Sequence, residues 1–92
     1  MKTFTVIVYS DAGHAWGKVK REVLRNLGIA HKISSYSYQR NDYAYLEEDC
    51  DLYLLQQAMD EDNVRLRYIE RRTDGRSKIR SYDRYAPWTT TN

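Results

Sequence analysis

Asp11 and His14 lie just past a strand-like N-terminal run and are the pair in this sequence nearest to acid–base or metal chemistry. A carboxylate and an imidazole can pass a proton or hold a divalent cation. A turn at residues 39–42 would bring Arg40 to the same end of a sheet, so an acid, an imidazole and a guanidinium could converge. The pair also has a plain reading, since Asp and His are common in turns. Gly13-His14-Ala15-Trp16-Gly17-Lys18-Val19 has the look of a phosphate loop. It has one residue too few between its glycines, and Val19 lacks the hydroxyl that would hold Mg²⁺. Cys50 is the single cysteine and has no companion at metal spacing, so neither a zinc site nor an internal disulfide is expected. Glu47-Glu48-Asp49-Cys50-Asp51 lacks the glycine and alternating ligands of a calcium loop. No catalytic residue, metal ligand or cofactor is assigned.

Arginine and tyrosine carry the other chemistry. Ten of the 15 basic residues are Arg and nine aromatics are Tyr, the types that grip planar groups and phosphates. The net charge of +2 hides segregation. Residues 1–46 hold seven bases and three acids, residues 47–62 hold seven acids and no base, and residues 63–92 hold eight bases and three acids. A pure mimic of DNA would be strongly acidic, which this balance excludes. No uncharged run approaches the roughly 20 apolar residues of a membrane span, and the N-terminus alternates where a signal peptide would be continuously apolar. With one cysteine, a reducing cytosol is the expected compartment.

Ninety-two residues predict one core. Phe4, Val6 and Val8 share one face of a first strand by its period of two. Trp16, Val19, Val23 and Leu27 recur at steps of three and four and predict a first helix of about 13 residues, ended by Gly28, with Lys18, Arg21 and Arg25 as a basic stripe opposite. Residues 33–39 and 43–48 predict a hairpin. It would set Tyr36, Tyr38, Tyr43 and Tyr45 on one side and Ser35, Ser37, Ala44 and Leu46 on the core side. Asp49 or Asp51 would cap a second helix with Leu52, Leu55, Ala58 and Met59 buried, ending by Met59 because acids at 60–62 oppose the dipole. Val64, Leu66 and Tyr68 alternate with Arg65, Arg67 and Ile69 in a last strand, broken at Thr73-Asp74-Gly75. Residues 1–75 are read as the domain and residues 76–92 as an Arg- and Tyr-rich tail that could add an edge strand near residues 78–82.

This order predicts an α+β ferredoxin-like βαββαβ plait, with a four-stranded antiparallel sheet, both helices on one face, and the C-terminal tail outside it. The uncovered face would carry Ile7, Tyr9, the four hairpin tyrosines, Arg65, Arg67 and Arg71, in the manner of modules that stack unpaired bases. Tyr43-Ala44-Tyr45-Leu46 resembles the centre of the RNA-recognition third-strand motif, although Asp42 replaces its Gly and Glu48 its trailing aromatic. The expected partner-binding residues are therefore Arg65, Arg67, Arg71, Tyr36, Tyr38, Tyr43 and Tyr45, with Lys18, Arg21 and Arg25 on the helix stripe.

Two resemblances bear on function. Tyr9-Ser10-Asp11, a strand end with a helix after it, looks like the start of small metal-dependent ribonucleases of the CRISPR-adaptation and toxin type. Over a longer span, Tyr9–Val19, Ser34-Ser35-Tyr36-Ser37-Tyr38-Gln39 and Tyr43–Asp51 together resemble phage anti-CRISPR proteins of type I-F, inhibitors of the crRNA-guided Csy surveillance complex. That resemblance implies a non-enzymatic blocker in the cytoplasm of the infected bacterium. It would dock on several protein subunits, with the crRNA left open as a further contact, and stop target DNA from pairing with the guide. It implies no membrane and no small-molecule substrate, and it transfers no contact residue. A nuclease and a plain RNA-binding module are the alternatives.

Overall fold

A computed structural model of the protein describes residues 2–87. The elements are β1 (Lys2–Ser10), β2 (Ala15–Lys20), α1 (Arg21–Asn26), β3 (Tyr38–Arg40), β4 (Tyr43–Glu47), α2 (Leu52–Glu61), β5 (Val64–Arg72) and β6 (Asp83–Arg84), with 3-10 turns at Ala30–Lys32 and Lys78–Ser81. They form one six-stranded sheet in the order β5-β1-β2-β4-β3-β6. β5 runs parallel to β1 along all nine residues, and the other neighbours are antiparallel. The ferredoxin-like expectation is therefore corrected: the sheet is mixed and has six strands.

The error starts at Ala15. Asp11 closes a tight turn, its Oδ1 accepting the N–H groups of Gly13 and His14 at 3.0 Å each. Those bonds could equally begin a helix, but here the backbone carbonyl of His14 accepts the Asp11 N–H and the chain folds back as β2. Trp16 and Val19 favour a strand, and Gly17 penalises a helix by about 1 kcal/mol. Gly17 is needed for another reason as well. A Cβ there would meet Leu52 Cδ1 at 2.7 Å and Val6 Cγ1 at 3.2 Å, so α2 approaches the sheet too closely for a side chain. Only six residues of the expected first helix remain helical, and the chain leaves them through Gly28 at φ 73°.

The hairpin stands, shortened. Asn41 and Asp42 form its turn, with Asn41 at φ 54°, and Tyr38 pairs with Tyr45. α2 runs past Met59 to Glu61. Asp51 precedes it without a side-chain cap. Its buried carboxylate instead accepts the Ser34 N–H and the hydroxyls of Ser34 and Ser37, tying β3 to the helix start.

One face of the sheet packs Val6, Val19, Ala44, Leu46 and Leu66 under Leu24 from α1 and Leu55 and Met59 from α2. The opposite face is covered by the chain's own later segment: Ile79 is buried with Trp16, Tyr38 and Tyr45, and Tyr82 packs on them. The chain then adds β6 beside β3 and turns to the helix side, where Tyr85 is buried in the first core and donates its hydroxyl hydrogen to the Ala30 carbonyl at 2.7 Å. The expected uncovered tyrosine face is thus partly closed. The edge strand that the tail could add near residues 78–82 is β6, at Asp83–Arg84, and residues 78–81 form a 3-10 turn before it.

Candidate functional site

Asp11 builds the frame of the site. Besides its turn bonds, its carboxylate accepts the Ser77 N–H at 3.0 Å and a two-pronged pair from Arg80, Nε at 2.7 Å and Nη2 at 2.9 Å. The Arg80 guanidinium, helped by the backbone donors, holds this carboxyl well below the ordinary carboxylate range. Arg80 also lies over the Trp16 ring at 5.2 Å, which pins the segment after Gly75 to the strand ends. The expected convergence of Asp11, His14 and Arg40 is not found. Asp11 takes Arg80 as its partner, and Arg40 stands over the Tyr82 ring at 5.0 Å.

Because these Asp11 bonds latch Ser77 and Arg80 in place, the residues on either side of Ser77 form a wall facing the sheet. A cleft of about 710 Å³ opens between them, lined by Tyr9, Lys18, Arg40, Asn41, Tyr43, Tyr45, Arg71, Thr73, Arg76, Ser77, Lys78, Ile79 and Tyr82. Five of these are cations, four are tyrosines, and none is a carboxylate. Lys18 Nζ lies 4.2 Å from the Tyr43 ring centre, and Tyr82 lies against Tyr45 with ring centres 5.1 Å apart. Ring faces thus replace carboxylates beside two of the cations. Among the described residues, none of the five forms a salt bridge, whereas Arg80 is neutralised by Asp11. Burial, with Tyr82 and Tyr9 adding to it, pushes the Tyr45 phenol up to about 12, so it stays a neutral donor.

Comparison of the chain with protein-family models, with curated proteins and with solved structures gave no match. The residues themselves must therefore carry the assignment.

Of the residues expected to bind a partner, Lys18, Tyr43, Tyr45 and Arg71 meet in this cleft. Arg65 and Arg67 lie on the same face of β5 as Arg71, outside the cleft lining. The others lie elsewhere. Tyr38 is buried edge-on against Trp16 with Arg84 over it, so it is a core residue. Tyr36 is 65% exposed but precedes β3 in a turn, away from the plate it was to join. The basic helix stripe does not exist, because Lys18 belongs to a strand. Arg21 is 3% exposed and donates to the Ala86 carbonyl at 3.2 Å. Arg25 stays exposed on α1 beside Lys20, Glu22 and Asp42, at a separate and electrically mixed surface.

Sequence reading set Arg40 beside Asp11 and His14 and missed its place in this cleft, and it missed Arg76, Lys78 and Tyr82 as site residues. The Arg- and Tyr-rich composition of the tail was the available signal for these three.

A metal could find ligands in one place among the described residues, where His14, Glu47 and Asp49 bring donor atoms within 4.8 Å of one another. His14 Nδ1 is 3.8 Å from Glu47 Oε1, while the Glu47 carboxylate already accepts the Asp49 N–H. Burial and the neighbouring acids raise the Glu48 carboxyl, and the same two causes push the Cys50 thiol up, away from reactive thiolate. No described helix is long and apolar enough to cross a membrane.

Proposed function

We propose that the protein is a non-enzymatic binding protein that docks on a guide-bearing ribonucleoprotein and blocks its pairing with target DNA, using the cationic cleft as its main contact. The carrying observation is that Lys18, Arg40, Arg71, Arg76 and Lys78 meet around one opening without a carboxylate. Like charges gathered in this way focus a field toward an anionic partner and are relieved by its binding. The resemblance to type I-F anti-CRISPR proteins makes the Csy surveillance complex that partner and the cytoplasm of the infected bacterium its compartment. Docking works through the cleft and the latched tail rather than through an open tyrosine plate. What supports a non-enzymatic reading over a nuclease is that Asp11, the acid of the nuclease-like motif, already has its carboxylate engaged by Arg80 and three backbone N–H groups.

The test is size-exclusion chromatography of the purified chain with the assembled complex, followed by a target-duplex shift assay. The chain should co-migrate and abolish target binding. Arg71→Glu with Lys78→Glu should lose both effects while the melting temperature is kept, and His14→Ala should keep both. Absence of co-migration would remove this reading. Divalent-cation-dependent cleavage of RNA or DNA that disappears in His14→Ala would install the nuclease instead.

A further inference from the structure

We infer that the cleft takes an unpaired nucleic-acid segment directly, one base among the tyrosines and the adjoining phosphates on the cations, with the strand leaving along β5. This rests on the reading of the cleft as the anion-docking site and names its ligand. A volume of about 710 Å³ suits a nucleotide-sized group. Carboxylates of an acidic protein would use the cations and leave the part-exposed ring surfaces of Tyr9, Tyr43 and Tyr82 uncovered, with Tyr45 buried beneath them. A duplex would likewise offer phosphates alone, because its base faces are stacked inside. An unpaired segment uses both, since bases stack on tyrosine rings and on guanidinium planes such as that of Arg40, already layered on Tyr82 at 5.0 Å.

The phosphate side is held in place as well. Arg76 and Lys78 flank Ser77, whose N–H is fixed on Asp11, so this wall is positioned before any ligand arrives. From Arg71 at the cleft, the same face of β5 continues through Ile69 to Arg67 and Arg65, with the three arginines in register with Tyr9, Thr5 and Thr3 of β1. All three are exposed and without an ion pair among the described residues. They extend the cationic track by about 20 Å.

Fluorescence anisotropy with a labelled single-stranded RNA of about 12 nucleotides tests this. The strand should bind with a slope of log K against log salt near −3, and Arg71→Ala should make that slope shallower by about 0.7. Tyr43→Leu should weaken binding roughly 10-fold with the slope unchanged. Arg65→Ala with Arg67→Ala should weaken the long strand and spare one of about four nucleotides. If Tyr43→Leu does not fold, the Arg71→Ala slope still decides. Equal binding of a matched duplex, displacement by polyglutamate, or an unaltered slope in Arg71→Ala overturns the inference. Co-migration with the surveillance complex without affinity for the free strand overturns it while leaving the docking reading intact. Affinity for the strand without co-migration upholds it and removes that reading.

Discussion

The two faces of the one sheet are closed by different means. On the helix side, Leu24, Leu55 and Met59 lay aliphatic surface on Val6, Leu46 and Leu66, and the seal is continuous. On the other side, a single 3-10 turn sets Ile79 and Tyr82 on an aromatic floor and is held by one ion pair, Asp11 with Arg80. A helix covers a sheet as a layer, whereas a latched segment covers only what lies beneath it. What the latch leaves uncovered is the cleft, and among the described residues none of the five cations around it forms a salt bridge. One face therefore supplies most of the fold's stability, and the other supplies a concavity at modest structural cost.

The sharpest way to break that division is to open each seal in turn. Leu55→Ala, at a side chain with no exposure, should cost about 3 kcal/mol and lower the melting temperature by more than about 10 °C. Ile79→Ala should cost about 2 kcal/mol and act locally. Hydrogen exchange should rise at residues 77–82 while Leu24 and Leu46 stay protected, and equal loss of protection on both faces would refute the division.

Acid provides a weaker and more specific probe. The Asp11 carboxyl is depressed in the folded state, so the latch contributes fully above its unfolded pKa of about 4 and fades as pH falls from there through the folded value. Urea titrations should show Asp11→Asn less stable than the parent at neutral pH, with the gap constant above about pH 5 and narrowing below about pH 4. A gap that does not change with pH would mean that the pair is not the latch.

The smallest effect should come from the unpaired cations. Lys78→Ala and Arg71→Ala should change stability by no more than about 0.5 kcal/mol, because neither has a carboxylate to lose. A large loss in either would show that these cations hold the tail down and were misread as a binding surface.

The legible parts of this fold are local ones. The period of two set Phe4, Val6 and Val8 to the core side, Gly28 ended the helix in the left-handed region, and the turn at Asn41 and Asp42 aligned Tyr38 with Tyr45. The segment from Ala15 to Lys20 was illegible because Trp16 and Val19, three residues apart, fit the helical period, whereas in the strand they face opposite sides of a sheet that is covered on both. Leu52 pressing on Gly17 belongs only to the strand arrangement, and that contact joins residues 35 positions apart. The part of the cleft built by Lys18, Tyr43, Tyr45 and Arg71 could be anticipated. The part contributed by Arg76, Lys78 and Tyr82 depends on where the tail folds back.

Alternation, turn residues and composition on their own determined the first strand, the hairpin and the wealth of arginine and tyrosine, since each reflects steric and hydrogen-bonding preferences within a few residues of chain. Only the tertiary structure decided that β5 lies parallel to β1, that Arg21 is interior, and that Arg80 is neutralised while Arg71, Arg76 and Lys78 are not. The physical reason is that an arginine's role is set by the carboxylate or ring that long-range folding brings beside it. For Arg80 that group is Asp11, 69 positions earlier in the chain.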